Sequence, residues 1–123
     1  MDMAKYRAVF LEESMEHLAE ISRGLLDLEK DPARIEAIDL VFRMAHSIKG
    51  MAASLEYTRI AESAHRLEDR MQKVRAAGRI AAGAELAEIF AYLDGLESMI
   101  GAVRETGFEP PALEASKKKL QRR

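Results

Sequence analysis

The chain has 123 residues and a mass of 13.8 kDa, the size of one domain. It has no cysteine, which excludes disulfides and thiolate zinc sites, and no run free of Asp, Glu, Lys and Arg exceeds six residues, the length of Gly50 to Leu55, too short to span a bilayer. The net charge of −2 is uneven: residues 117–123 carry five positive charges and the other 116 residues a net −7, an acidic body that argues against a nucleic-acid surface.

The N-terminus lacks the basic, apolar and small-residue regions of a signal peptide, so a cytoplasmic protein is the default expectation. Few prolines and abundant Ala, Leu, Glu and Arg favour helix. The first predicted helix runs from about Ala4 to Lys30, with an apolar stripe of Leu11, Met15, Leu18, Ile21, Leu25 and Leu28. Asp31-Pro32 is expected to start the second, with Asp as N-cap and Pro in the first turn. That helix carries Ile35, Ile38, Phe42, Ala45, Ile48 and Ala52 and stops near Leu55 to Tyr57, where Thr58 can cap a third. The third carries Ile60, Ala64, Leu67, Met71 and Val74 and stops at Ala77-Gly78. The fourth carries Leu86, Ile89, Leu93, Leu96, Ile100 and Val103 and stops near Thr106-Gly107. No stretch alternates like a half-buried strand, and short connections make neighbours antiparallel. The expected fold is all-α: an up-down-up-down four-helix bundle over residues 1–108. Residues 109–123 leave room for a short fifth helix after Pro111 or begin a linker.

A bundle does not specify function. What the bundle does not explain is a set of polar residues on helices two and three. Gly50 lies inside a helix, where it costs about 0.5–1 kcal/mol relative to Ala. It sits one turn after His46 and leaves the space beside that imidazole open to a bulky partner. If the hairpin turns near Glu56, His46 lies opposite position 66, bracketed by His65 and Glu68. With Ala45, Ile48, Ala52 and Ala64, Leu67, Met71 as the inward seams, His46, Lys49, His65 and Glu68 all fall on facing flanks. They should form one patch at the bundle edge.

A neutral imidazole has one N–H and one lone pair. If Glu68 accepts a hydrogen bond from one ring nitrogen of His46, the tautomer is fixed and the other nitrogen becomes an oriented nucleophile. Lys49 can neutralise an incoming phosphoryl group. A phosphoryl acceptor fits these residues. A kinase does not, because the chain has no Gly-rich nucleotide loop and no evident magnesium cluster. ATP and magnesium would belong to another polypeptide or domain, and no cofactor is expected in this one.

The run His46-Ser47-Ile48-Lys49-Gly50-Met51-Ala52 resembles the motif of histidine-containing phosphotransfer (HPt) domains. The stretch from Phe42 to Met71 resembles the N-terminal phosphotransfer domain of CheA-type chemotaxis histidine kinases, as does FLEESMEHLAEISRGLLDLEKDP in the first helix. The resemblance covers about residues 4–105. It implies that His46 is the phosphorylated residue, that Lys49, His65 and Glu68 support it, and that Glu68 holds the ring nitrogen that does not attack. The implied partners are an ATP-binding kinase domain and response-regulator receiver domains. It also implies a helical bundle, in line with the periodicity. One departure is Glu56, where related sequences often carry Gly. Glu there costs about 1 kcal/mol if the backbone stays left-handed, unless the turn is rebuilt.

Blander readings stand beside these. His17 reads as a surface or satisfied core residue. Lys49 and Glu68 could form only a salt bridge, though that explains neither Gly50 nor His46. The competing functions are a metal-binding bundle using His46, His65 and Glu68, and a non-catalytic helical adaptor. The charged C-terminus, preceded by Pro110-Pro111, reads as the start of a linker in a longer kinase.

Overall fold

The computed structural model describes residues 2–81 and 83–111, and these form four α-helices. Helix α1 spans Met3–Lys30. The Asp2 carboxylate accepts from the Ala4 N–H at 3.1 Å and so satisfies one of the orphan donors of its first turn. Helix α2 spans Ile35–Ser54 and begins three residues later than the Asp31-Pro32 signal suggests. The reason is that Asp31 still belongs to α1: its N–H donates to the Asp27 carbonyl at 2.9 Å. Its carboxylate then accepts from Ala33 N–H at 3.3 Å, and Arg34 N–H donates to its carbonyl at 3.0 Å. Asp31 to Arg34 is thus a turn with Pro in its second position, a common use of both residues.

Helix α3 spans Thr58–Ala77 and α4 spans Ala84–Thr106. Both end on glycines in the left-handed region, Gly78 at φ 82° and Gly107 at φ 87°. Each helix packs on the next in sequence, and α4 closes the ring against α1, with the α2–α3 pair packed most extensively. This is the expected up-down-up-down bundle. None of the described helices is long and apolar enough to cross a membrane. A fifth helix after Pro111 would lie outside the described residues.

The core follows the predicted seams of α3 and most of α4, with Ile60, Ala64, Leu67, Met71, Val74, Ile89, Leu93, Leu96, Ile100 and Val103 buried. The first half of α1 departs from its predicted stripe. Phe10 and Ser14 are buried there, whereas Leu11 is half-buried and Met15 is 40% exposed. The buried positions 10, 14, 18, 21, 25 and 28 step by four twice before settling into the three-four rhythm, so the early seam lies one residue back. On α2, Ala37 and Val41 are buried while Ile35, its first residue, is 46% exposed. Phe42 is only half-buried and turns toward the edge. Gly24 permits the close approach of α1 to α2, since a Cβ there would stand 2.8 Å from Val41 Cγ2.

Two features fix how α3 follows α2. Glu56 sits at φ 63°, so the turn keeps its left-handed residue although that residue is not glycine. Glu56 N–H donates to Ala53 O at 3.0 Å and Tyr57 N–H to Ala52 O at 2.8 Å, the paired closure of a Schellman motif. The second feature lies far away in sequence. Thr58 is the first helical residue rather than the cap, and Tyr57, the N-cap, makes no side-chain capping bond. The free N–H groups of Arg59 and Ile60 instead donate to the two carboxylate oxygens of Glu109, each at 3.0 Å. Tyr57 Oη–H donates to Gly107 O at 3.4 Å beside this contact. The chain after α4 therefore clips the start of α3.

Two substitutions probe the turn and the clip. Glu56→Gly should raise stability by about 0.5–1 kcal/mol, the left-handed strain of an L-residue less the extra unfolded-state freedom of glycine. Denaturant midpoints measure this, and a loss of stability would mean the Glu56 side chain makes an offsetting contact. Glu109→Ala should lower stability by about 1 kcal/mol, as for loss of an N-cap. Faster amide exchange at Arg59 and Ile60 should accompany it, and unchanged exchange there would count against the clip.

Candidate functional site

The α2–α3 edge carries a continuous polar strip. On α2, Asp39, Phe42, His46 and Lys49 recur at three- and four-residue steps and so share one flank. On α3, Glu68 and Arg75 lie two turns apart on the facing flank, with His65, Asp69 and Gln72 around them. Of the four sequence-predicted residues, three meet directly. His46 Nδ1 lies 2.7 Å from Glu68 Oε2, and Lys49 Nζ lies 2.6 Å from Glu68 Oε1. His65 stands aside: its Nε2 is 3.7 Å from Asp69 Oδ1, one turn on along its own helix. It still lines the same shallow hollow as Lys49 and Glu68.

Exposure differs sharply across this group. The His46 side chain is 63% exposed and that of Glu68 only 12%. Burial pushes the Glu68 carboxyl up, but the hydrogen bonds from Lys49 and His46, with their charges, outweigh it and leave the carboxyl below its ordinary value of 4.5. Glu68 is therefore ionised at neutral pH and accepts only. For a neutral imidazole the proton must then sit on Nδ1, which donates to Glu68 and leaves the Nε2 lone pair free. Among the described residues Nε2 of His46 has no hydrogen-bond partner. Gly50, one turn on, is exposed, and a Cβ placed there would meet nothing within 4 Å. The surface beside the imidazole is open.

Three neighbours carry no signal in the motif. The Phe42 ring lies nearly parallel to the imidazole, 15° between planes and 6.5 Å between centroids. The Arg75 guanidinium carbon sits 4.0 Å from the Phe42 ring centroid, and Arg75 Nε is 3.7 Å from Asp39 Oδ1. Helical spacing alone links Asp39, Phe42 and His46, and Glu68 with Arg75, but their pairing depends on interhelical register. His17 of α1 is half-buried, with Nε2 3.0 Å from Ser47 Oγ, so it is a satisfied interhelical contact. Among the described residues no three His, Cys, Asp or Glu side chains converge as a metal site requires, since His65 turns away from Glu68.

A family model described as the Hpt domain matches residues 5–106. The chain belongs to the Hpt domain family. The chemotaxis protein CheA of Bacillus subtilis is 38% identical over 107 residues, which make up 87% of this chain and 16% of that protein. The chain thus spans about a sixth of the length of this relative. The CheA phosphotransferase domain from Thermotoga maritima is 34% identical with a TM-score of 0.75, the match covering 84% of this chain and 97% of that one. A solution structure of the histidine phosphotransfer domain of CheA is 33% identical with a TM-score of 0.77, covering 87% of this Hpt domain and 80% of that chain.

The lowered carboxyl of Glu68 carries a pH consequence. A folded value below the unfolded one contributes stability that is complete above about pH 4.5 and is lost as pH falls through the folded value. Glu68→Gln should therefore be less stable than the parent at pH 7, and the gap should close below pH 4.5. Urea titrations at pH 7 and pH 3 measure it. A gap independent of pH would place the cost in packing rather than in charge.

Proposed function

We propose that His46 is the phosphoacceptor of a two-component phosphotransfer domain. The phosphoryl group comes from ATP bound to a histidine kinase catalytic domain, on the same or another polypeptide, and passes to an aspartate of a response-regulator receiver domain. The observation that carries this reading is the 2.7 Å contact from His46 Nδ1 to the mostly buried, ionised Glu68, on an imidazole 63% exposed. Membership of the Hpt family supports it, as does the likeness to CheA phosphotransfer domains. We place the domain in the cytoplasm, where ATP and receiver domains are found, with chemotaxis signalling as its output.

The reaction follows from the groups present. The Nε2 lone pair attacks the γ-phosphorus, the bond from that phosphorus to the bridging oxygen breaks, and ADP leaves with its electron pair. The imidazole, still protonated on Nδ1, becomes a phosphorylated imidazolium, and Glu68 stabilises that positive charge through the same hydrogen bond. In the second step a receiver carboxylate attacks phosphorus, the P–N bond breaks, and its electrons return to Nε2. The leaving group is then neutral imidazole, which makes transfer to an acyl phosphate accessible.

Lys49 forms an ion pair with Glu68 Oε1, and the same ammonium can turn donors toward phosphoryl oxygens. His65, beside the hollow, serves as a further polar neighbour. Gly50 keeps the approach to Nε2 clear of side chain for two successive partners. Nucleotide and magnesium act on the kinase side, and the domain itself needs no cofactor for either step.

Incubation with ATP and a chemotaxis-type kinase catalytic core should add one acid-labile phosphate per chain, seen by intact mass. His46→Gln should abolish it. Phosphate that survives in the variant would assign the acceptor elsewhere. If the parent gains none from the kinase or from a phosphorylated receiver, the adaptor reading becomes the better account.

A further inference from the structure

We infer that Phe42, held in place by Arg75, is a positioning residue that keeps the His46 imidazole in its attacking tautomer and orientation. The inference rests on His46 as phosphoacceptor and adds two residues to that site.

Free in water, an imidazole prefers its proton on Nε2, the opposite of what attack through Nε2 requires. The domain must therefore hold the less favoured tautomer, and the hydrogen bond from Nδ1 to Glu68 supplies the bias. A single hydrogen bond on a ring that is 63% exposed is an incomplete restraint, however. Water competes for Nδ1 whenever the ring turns about its Cβ–Cγ bond. A second restraint has to act on the ring itself.

Phe42 is placed to supply it. It lies one turn before His46 on α2, with its ring 15° from the imidazole plane and 6.5 Å away centre to centre. That is the outer part of the range for offset-stacked rings. Phe42 also lines the hollow with Lys49, His65, Glu68, Asp69 and Gln72. Its ring thus stands beside the imidazole and borders the hollow into which Glu68 opens, where it limits how far the imidazole can turn.

Phe42 is itself only half-buried, so something must hold it at the edge. The Arg75 guanidinium lies over its ring at 4.0 Å from the centroid, a cation–π contact between α3 and α2. Arg75 is in turn steadied by Asp39 at 3.7 Å, one turn before Phe42. The seam predicted from sequence counts Phe42 as core, and a core phenylalanine would be sealed inside with no cation on its face. The half-buried ring, the guanidinium and the parallel imidazole together fit a support built at the edge.

The test reads the ring directly. The 15N shifts of the His46 imidazole are recorded at a pH where it is neutral, in the parent, Phe42→Leu, Phe42→Tyr, Arg75→Gln and Arg75→Lys. The parent should show mainly the Nδ1–H tautomer. Phe42→Leu should move toward a mixture and slow phosphoryl uptake from the kinase core by about tenfold in kcat, with KM little changed. Phe42→Tyr should restore both. Arg75→Gln should move the shifts the same way by less, and Arg75→Lys, which keeps a cation over the ring, should recover them.

Parent shifts and parent rate in Phe42→Leu would overturn the inference. A slow Phe42→Leu with parent shifts would also overturn it, because the ring would then be acting on the partner. Should Phe42→Leu fail to fold by circular dichroism, Arg75→Gln decides, since it leaves Phe42 in place, and unchanged shifts there sink the idea. If the parent takes up no phosphate, the phosphoacceptor reading fails separately, while the tautomer shifts still decide the role of Phe42.

Discussion

The Glu68 carboxylate sets the terms for the α2–α3 edge. It is mostly buried yet charged, and a buried charge is tolerated only when its oxygens are engaged. One oxygen takes Lys49 and the other takes His46. Both donors come from α2, one turn apart, so α3 must lie in one register and at one rotation for both contacts to close. A shift of one residue along either helix would carry Glu68 roughly 100° around its axis and leave the carboxylate unpaired. The ion pair, the hydrogen bond and the packing of α2 on α3 are thus one constraint.

Several features far from the imidazole serve that register. The left-handed Glu56 closes α2 so that Tyr57 can begin α3 without a longer loop. Glu109, reached only after α4, pairs with the first free N–H groups of α3. Gly24 lets α1 approach α2 against Val41, and Ile80 N–H donates to Pro32 O across the opposite connection at 2.9 Å. None of these touches the imidazole. The Glu56 turn, the Glu109 cap and the Ile80–Pro32 bond hold the two ends of α3, and sliding of α3 is what would separate Glu68 from His46.

Much of this was legible in the chain, for physical reasons that differ by residue. The α3 and α4 seams repeat at three and four residues without interruption, so burial of Leu67, Met71, Leu96 and Ile100 follows from periodicity. The juxtaposition of His46, Lys49 and Glu68 follows once a hairpin near Glu56 is assumed, because seam labels fix rotation and the turn fixes level. Three things were not legible. Asp31-Pro32 can start a helix or make a turn, and the tie of Asp31 to Asp27 decides it. The α1 seam runs through Phe10 and Ser14, although Leu11 and Met15 continue the regular stripe equally well by periodicity. The cap from Glu109 has no local signature, since it joins residues about fifty apart. His65 is a finer case. Its flank was legible, but its side chain turns to Asp69, a choice made by rotamer and not by helical phase.

The same geometry limits what the domain can contribute to chemistry. With both Glu68 oxygens engaged by Lys49 and His46, the carboxylate has no free reach toward an incoming phosphorus. It can fix a tautomer and, if His46 is the phosphoacceptor we propose, stabilise the positive charge of the phosphorylated ring, but it cannot act as a base toward Nε2. The exposed side of His46 has the open space left by Gly50 and no enclosing wall that would exclude water or bind a triphosphate. Most of the barrier lowering must therefore come from whichever partner is docked. An edge that supplies only an oriented lone pair and a stabilised leaving group suits a carrier that must give up its phosphoryl group as readily as it takes it. A deeper, self-sufficient site would hold the group against the next partner.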